Sequence, residues 1–171
     1  MKVISTAAIR TARALGRVDG EQCASWATSM LERGVDTPHL RKLAGVLPPF
    51  NPFELAAIRD RALEEIGCDS DDEPSVSEFS AELLRHGLDG SLELTDAVRQ
   101  VGELCFTQDQ HRAHLFDFYL LAHAHDDLAV MEVSGYWPDA MRENIGAIMR
   151  ERAQQFVKEV LAEASERVDG E

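Results

Sequence analysis

The feature that most constrains this fold is a succession of segments whose apolar residues recur every three or four positions. Between Cys23 and Leu31, for example, apolar residues stand at i, i+3, i+4, i+7 and i+8, which defines one buried stripe along a helix. The alternation typical of a half-buried strand is nearly absent. The pattern predicts an all-α fold, a compact bundle of seven or eight helices.

Capping residues mark where several of these helices begin. Thr37 is followed by Pro38, and Asn51 by Pro52; in both pairs a side chain that can accept a hydrogen bond from the helix N-terminus precedes a proline suited to its first turn. Asp19 is a third candidate for an N-cap. Glycines end most of the segments, as expected of helix C-termini.

The most apolar long segment covers residues 107–133. It predicts a central buried helix near 108–132, against which the other helices pack, because its apolar residues spread around most of the helix circumference. The residues on its broadest apolar face are Leu115, Phe118, Leu121 and Leu128, with Phe116, Tyr119, Leu120 and Val130 around the remainder.

The length of 171 residues suits one domain with a sizeable core, so we interpret residues 1–171 as a single helical domain. The acidic segment near 68–75 has no apolar anchor and is expected to be a mobile loop. The polar C-terminal tail from residue 166 is expected to fray.

The chain is strongly acidic, with 31 Asp and Glu against 17 Lys and Arg and a formal net charge of −14. Such a field repels phosphate backbones, which argues against binding nucleic acid. It favours a basic protein as partner, although acidity also serves simply to keep a protein soluble.

Nothing in the sequence indicates a membrane or an oxidising compartment. No stretch approaches the roughly 20 apolar residues of a membrane span, and Arg10 and Arg13 interrupt what would be the core of a signal peptide. Cys23, Cys68 and Cys105 form no CxxC pair, which argues against a disulfide framework and a structural zinc site. We expect a cytoplasmic protein that does not bind membranes.

The stretch 26–54 resembles a family of small, uncharacterised helical bacterial proteins. The resemblance implies a bacterial accessory protein and transfers no catalytic residue. It rests on Trp26, Ala27, Leu31, Gly34, Asp36, Pro38, Leu40, Arg41, Leu43, Ala44, Gly45, Pro49, Phe50, Asn51, Phe53 and Glu54.

The central segment holds the candidates for a metal site, namely His114, His123, His125, Asp126 and Asp127. Imidazole and carboxylate groups three or four residues apart on a helix can ligate Zn, Mn or Fe. The alternative is a purely structural role, in which these histidines form hydrogen bonds at the edge of the core.

The pair His125-Asp126 resembles the metal-binding dipeptide of HD-type phosphohydrolases. The resemblance implies further ligands on other helices, for which His39 or His86 and Asp139 are the nearest candidates. Neither HExxH nor the paired ExxH motif of di-iron bundles is present in the sequence.

Motifs for other chemistries are also missing from the sequence. There is no GxSxG nucleophile elbow, no GxGxxG and no GxxxxGK[ST] phosphate loop. We therefore predict no catalytic residue and no cofactor.

Tyr136 and Trp137 stand in a turn before Pro138. Aromatic residues on a loop are candidate anchors for a protein partner, and the alternative is that they fold back over the end of the bundle. The preferred hypothesis is a non-enzymatic protein that binds and neutralises or regulates a basic partner, as immunity proteins do. The alternatives are a metal-dependent hydrolase using the His/Asp cluster of the central helix, and a homodimer.

Overall fold

The computed structural model describes residues 4–69, 72–107 and 110–169, and most of these residues are helical, which confirms the all-α class. Within these ranges the chain forms eight α-helices, a two-stranded hairpin and a single 3₁₀ turn. The helices are α1 (Thr6–Ala14), α2 (Gly20–Glu32), α3 (Pro38–Ala44), α4 (Pro52–Glu65), α5 (Asp72–Asp89), α6 (Leu94–Glu103), α7 (Phe116–Val130) and α8 (Ile145–Asp169). The hairpin pairs β1 (Phe106–Thr107) with β2 (Gln110–His111), and the 3₁₀ turn covers Ala113–Leu115.

The chain divides into two compact units, Met1–Phe79 and Ser80–Glu171, and the boundary falls inside α5. A division of this kind does not by itself show that either unit folds alone. The interpretation of residues 1–171 as one domain therefore stays a prediction.

In the first unit, the helix starts agree with those expected from the capping residues. The side chain of Asn51 accepts from the backbone N–H groups of Phe53 and Glu54 at 3.1 and 3.4 Å. Thr37 caps α3 and Asp19 caps α2 by the same kind of bond. Because these bonds satisfy otherwise unpaired N–H groups, they fix the first turn of each helix.

The core of the first unit is built from the apolar stripes of α1 to α4. Trp26 is 1% exposed, and its indole N–H donates to the hydroxyl of Thr6 at 3.1 Å, so its one polar group is satisfied. The other buried residues of this core are Ile9, Cys23, Ala27, Met30, Leu40, Leu43, Leu55, Ile58, Ala62 and Leu63.

In the second unit, α6 and α7 pack at very short range. A Cβ atom at Gly102 of α6 would lie 2.9 Å from the backbone N and Cα of Tyr119 and 3.0 Å from the carbonyl oxygen of Phe118. Only a residue without a side chain allows this approach of the two backbones. Helix α8 packs against both α6 and α7.

The predicted central helix is confirmed in one buried face and corrected in its partners and its start. Val130, expected to extend the apolar surface, is 81% exposed. The helices that pack closely against α7 are α6 and α8, rather than all the others. Helix α7 begins at Phe116 rather than near residue 108. Before it, Phe106 and His111 lie opposite each other in the hairpin, and their rings stack at 5.0 Å. Cross-strand stacking of this kind favours the hairpin over a continued helix. The buried residues of α7 are Phe118, Leu121, Ala122, Ala124 and Leu128.

Two other helix boundaries differ from those expected. The capping pattern of Ser75 and Glu78 predicts a helix that starts at Ser75, whereas α5 begins at Asp72. Asp139 is a candidate N-cap for the last helix, whereas α8 begins at Ile145. Met141, expected in the apolar stripe of the last helix, is 59% exposed. The side chain of Asn144 explains the late start, because it accepts from the N–H of Met141 and donates to the carbonyl of Asp139, which holds a turn there.

Part of the predicted mobile loop, residues 70 and 71, lies outside the described residues, as do residues 170 and 171 of the tail. Helix α8 itself continues to Asp169. None of the helices formed by the described residues has both the length and the apolar character needed to cross a membrane.

Candidate functional site

Helix α7 presents three rings on one face. Phe116, Tyr119 and His123 stand at i, i+3 and i+7, a spacing that places side chains above one another on a helix surface. The Phe116 and Tyr119 rings are stacked at 6.0 Å, and the Tyr119 and His123 rings meet edge to face at 4.4 Å. All three residues are half-buried.

Two neighbouring segments extend this row of rings. From the hairpin, the Phe106 ring lies 5.0 Å from the Tyr119 ring and His111 lies 5.6 Å from Phe116. From the chain after α7, Tyr136 stacks on His123 at 5.0 Å. We call this set the aromatic ribbon, and its members are Phe106, His111, Phe116, Tyr119, His123 and Tyr136.

The aromatic ribbon reaches solvent along its length. Phe106 is 52% exposed and Tyr136 is 43% exposed, although both are large apolar side chains. His111 is exposed as well. Exposed aromatic residues in contact with one another are typical of surfaces that anchor a partner.

Two hydrogen bonds of the Ser134 hydroxyl, which we call the Ser134 relay, hold Tyr136 in place. The hydroxyl of Ser134 donates to the carboxylate of Asp127 at 3.0 Å and accepts from the backbone N–H of Tyr136 at 3.1 Å. Asp127 lies on α7, so the relay ties the turn that carries Tyr136 to the helix that carries His123. Trp137, the other predicted anchor, is half-buried beside it.

A cavity of about 220 Å³ opens beside the aromatic ribbon, between α6 and α7. We call it the α6–α7 cavity. Its walls include the rings of Phe106, Tyr119 and His123 and the charged side chains of Arg99 and Glu103. The close approach at Gly102 brings the two helices together at this point.

Beside the α6–α7 cavity, several carboxylates lie near the guanidinium of Arg99. The two terminal guanidinium nitrogens of Arg99 donate to the two carboxylate oxygens of Asp126, each at 2.7 Å. These bonds raise the pKa of Arg99, and the nearby charges of Asp126, Asp96 and Glu103 add to that rise. The Arg99 bond in turn lowers the pKa of Asp126. Three carboxylates therefore act on one guanidinium, so that acidic groups outnumber the basic group among these four residues.

Four of the five candidate metal ligands, all but His125, contact other side chains in ways that a metal site does not need. Asp126 is held by Arg99, and His123 lies between the rings of Tyr119 and Tyr136. His114 is exposed, and its ring is parallel to that of Phe156 at a distance of 6.4 Å.

His125 lies beside Asp126, but 3.7 Å separates its Nδ1 from the carboxylate Oδ1, which is longer than a normal hydrogen bond. Asp127 belongs to the Ser134 relay. Among the side chains that the structure describes, no three His, Cys, Asp or Glu residues converge as a metal site would require.

The further ligands implied by the HD-type resemblance are placed as follows. His39 lies in the first unit, where its Nδ1 is 2.6 Å from Glu65. The hydroxyl of Thr37, together with His39, lowers the pKa of Glu65 to about 2. His86 and Asp139 lie in the second unit and are both exposed.

Two of the three cysteines, Cys23 and Cys105, lack the features of an activated nucleophile. Cys23 is 3% exposed and Cys105 is fully buried, as expected of small core residues. Burial raises the pKa of both thiols, which disfavours the reactive thiolate.

The sequence pattern carried part of the signal for the aromatic ribbon. The spacing of Phe116, Tyr119 and His123 was visible, but the two aromatic residues were interpreted as core and the histidine as a ligand. Phe106 and Tyr136 come from other elements, so only the fold brings them to the same surface.

Comparison of the chain with protein-family models, with curated proteins and with solved structures found no match. The resemblance of residues 26–54 to a bacterial family therefore stays a prediction.

Proposed function

We propose that the protein acts by binding a basic protein partner through the aromatic ribbon, rather than by catalysis. The observation that carries this proposal is the ribbon itself, six rings in continuous contact with solvent-exposed members at both ends. Aromatic side chains supply most of the binding energy in many protein interfaces, because they bury a large area with few rotatable bonds.

The charge distribution supports a basic partner. Residues 80–171, which hold the aromatic ribbon, contain 18 Asp and Glu and 8 Lys and Arg, a net charge of −10. Residues 1–79 contain 13 Asp and Glu and 9 Lys and Arg, a net charge of −4. An excess of negative charge on the unit that carries the contact surface accelerates its encounter with a positively charged partner.

The role that fits these features is the neutralisation or regulation of a basic partner, in the manner of an immunity protein. A rigid set of rings anchors the partner, and the surrounding carboxylates cover its positive surface. The setting we propose is the cytoplasm of a bacterial cell.

The geometry favours this function over the alternative, a metal-dependent hydrolase centred on α7. Both oxygens of Asp126 accept hydrogen bonds from Arg99, and an oxygen of Asp127 accepts from Ser134. Metal binding by either carboxylate has to compete with these bonds.

Affinity capture from the cells that make the protein tests the proposal. The wild-type chain is compared with the double variant Phe106→Ser/Tyr136→Ser, and the captured proteins are quantified by mass spectrometry. We expect a basic protein captured by the wild-type chain and lost by the double variant. Phe53→Ser is the matched control, because Phe53 is 89% exposed in the first unit and outside the ribbon.

Two results contradict the proposal: capture that survives the double variant, or a captured partner with a net negative charge. In a third result, the chain captures a second copy of itself and light scattering gives a doubled mass. That result would replace the basic partner with a homodimer.

A further inference from the structure

We propose that the α6–α7 cavity receives an arginine side chain of the partner, whose guanidinium stacks within the aromatic rings and donates to Glu103. This inference rests on the proposed function and specifies the chemistry of the contact. The partner supplies the cation, and the second unit supplies the rings and the carboxylate.

The arrangement of the rings is the first reason. Tyr119 has Phe106 on one side and His123 on another, and their ring planes stand at 80° and 65° to its own. All three rings line the same cavity. Rings that meet at steep angles around a cavity give an enclosed cation several electron-rich surfaces to contact.

The size of the cavity is the second reason. Its volume of about 220 Å³ is below the roughly 300–1,000 Å³ typical of pockets for drug-sized ligands. The cavity therefore suits a single side chain better than a free cofactor.

The charge at the cavity is the third reason. Asp96, Arg99 and Glu103 follow one another at i, i+3 and i+7 on one face of α6, and Asp126 approaches from α7. Among the described residues that line the cavity, Arg99 is the one lysine or arginine, and its bidentate bond to Asp126 compensates its charge. Glu103 is left as an exposed carboxylate at the wall, with Asp96 nearby.

Arginine fits this site better than lysine. Its planar guanidinium can stack on an aromatic ring and direct two parallel N–H groups at one carboxylate. The ammonium group of lysine is compact and strongly hydrated, and it lacks a planar surface for stacking.

Titration of the full chain with short blocked peptides tests the site directly. The three peptides are acetyl-Gly-X-Gly-amide with arginine, citrulline or lysine at the central position, and binding is followed by NMR at the Gly102 amide and the His123 ring. We expect the arginine peptide to bind about tenfold more tightly than the citrulline peptide, the ratio for loss of a charge-assisted hydrogen bond.

A pair of matched variants locates the carboxylate. Glu103→Gln should raise the Kd of the arginine peptide by roughly tenfold, whereas Glu163→Gln should leave it unchanged. Both residues are exposed glutamates on helices of the second unit, and only Glu103 lines the cavity.

Equal affinity for the arginine and citrulline peptides overturns the proposal, as does an effect of Glu163→Gln equal to that of Glu103→Gln. Equal affinity for the lysine peptide overturns the choice of arginine. These peptide results are independent of affinity capture: the cavity can fail to bind arginine while the ribbon still captures a basic protein. Conversely, the peptide can bind when capture fails.

Discussion

At the scale of single residues, Glu65 shows how one carboxylate joins two helices. From the last turn of α4, its Oε2 accepts from the backbone N–H of His39 at 3.0 Å, and its Oε1 lies 2.6 Å from the His39 ring. Thr37 also forms a hydrogen bond with it. An anion held at the N-terminus of α3 complements the partial positive charge of that helix end.

These contacts predict how stability depends on pH. The pKa of Glu65 is about 2 in the folded chain, below its ordinary value of 4.5, because Thr37 and His39 stabilise the charged form. The stabilisation is thus fully present above about pH 5 and is lost as the pH falls towards 2. Urea unfolding should show that Glu65→Gln lowers the free energy of unfolding at pH 7 and that the deficit shrinks between about pH 5 and pH 2.

The control for this prediction is Glu64→Gln. Glu64 precedes Glu65 in α4, and its side chain forms an exposed ion pair with Arg61. Its substitution should change stability little at any pH. A deficit for Glu65→Gln that stays constant from pH 7 to pH 2 would show that the carboxylate is not held in the way described.

At the scale of elements, the crossing of α6 and α7 at Gly102 sets the geometry of the candidate site. Gly102→Ala places a methyl group within 3.0 Å of the α7 backbone, which cannot rotate away. We expect a loss of about 1–3 kcal/mol in the free energy of unfolding, because the two helices must separate. Separation of α6 and α7 should also displace Tyr119 and weaken the binding of the arginine peptide at the α6–α7 cavity.

Gly146→Ala provides the comparison for that measurement. Gly146 lies in α8 with open space where its Cβ would be, so the methyl group meets nothing. Alanine also favours the helix over glycine by about 0.5–1 kcal/mol. Thermal unfolding should therefore show a lower Tm for Gly102→Ala and an unchanged or higher Tm for Gly146→Ala. Equal effects would mean that the helices do not meet at Gly102.

The elements also show which parts of the structure the sequence could predict. The starts of α3 and α4 were predicted because Thr37 and Asn51 act within one turn of chain. The start of α7 was not, because the hairpin before it depends on Phe106 and His111 meeting across two strands. A helix start that depends on a capping residue can therefore be predicted from the sequence, whereas one that depends on a hairpin cannot.

The same reasoning applies to the candidate site. The face of α7 that carries Phe116, Tyr119 and His123 follows from helical spacing alone. The aromatic ribbon as a whole does not, since Phe106 and Tyr136 reach it from opposite ends of α7. The sequence showed which side chains were available, and the fold determined which of them became neighbours.

At the scale of the whole molecule, the acidic charge and the aromatic rings lie on the same part of the chain. Residues 80–171 hold a net charge of −10 out of −14 and all six rings of the aromatic ribbon. Charge should control how fast a basic partner arrives, and the rings should control how long it stays. These two contributions can be separated, because salt screens the attraction between charges and scarcely affects the contacts of the rings.

The most direct measurement is the Kd of the captured partner for the wild-type chain and for Phe106→Ser/Tyr136→Ser, each as salt rises from about 0.01 M to about 1 M. This change shortens the screening length from roughly 30 Å to roughly 3 Å. We expect the wild-type Kd to rise steeply with salt, mainly through slower association. We also expect the double variant to bind at least about tenfold more weakly at every salt concentration, mainly through faster dissociation. A Kd insensitive to salt, or a double variant that binds as tightly as the wild type, would contradict the proposed function.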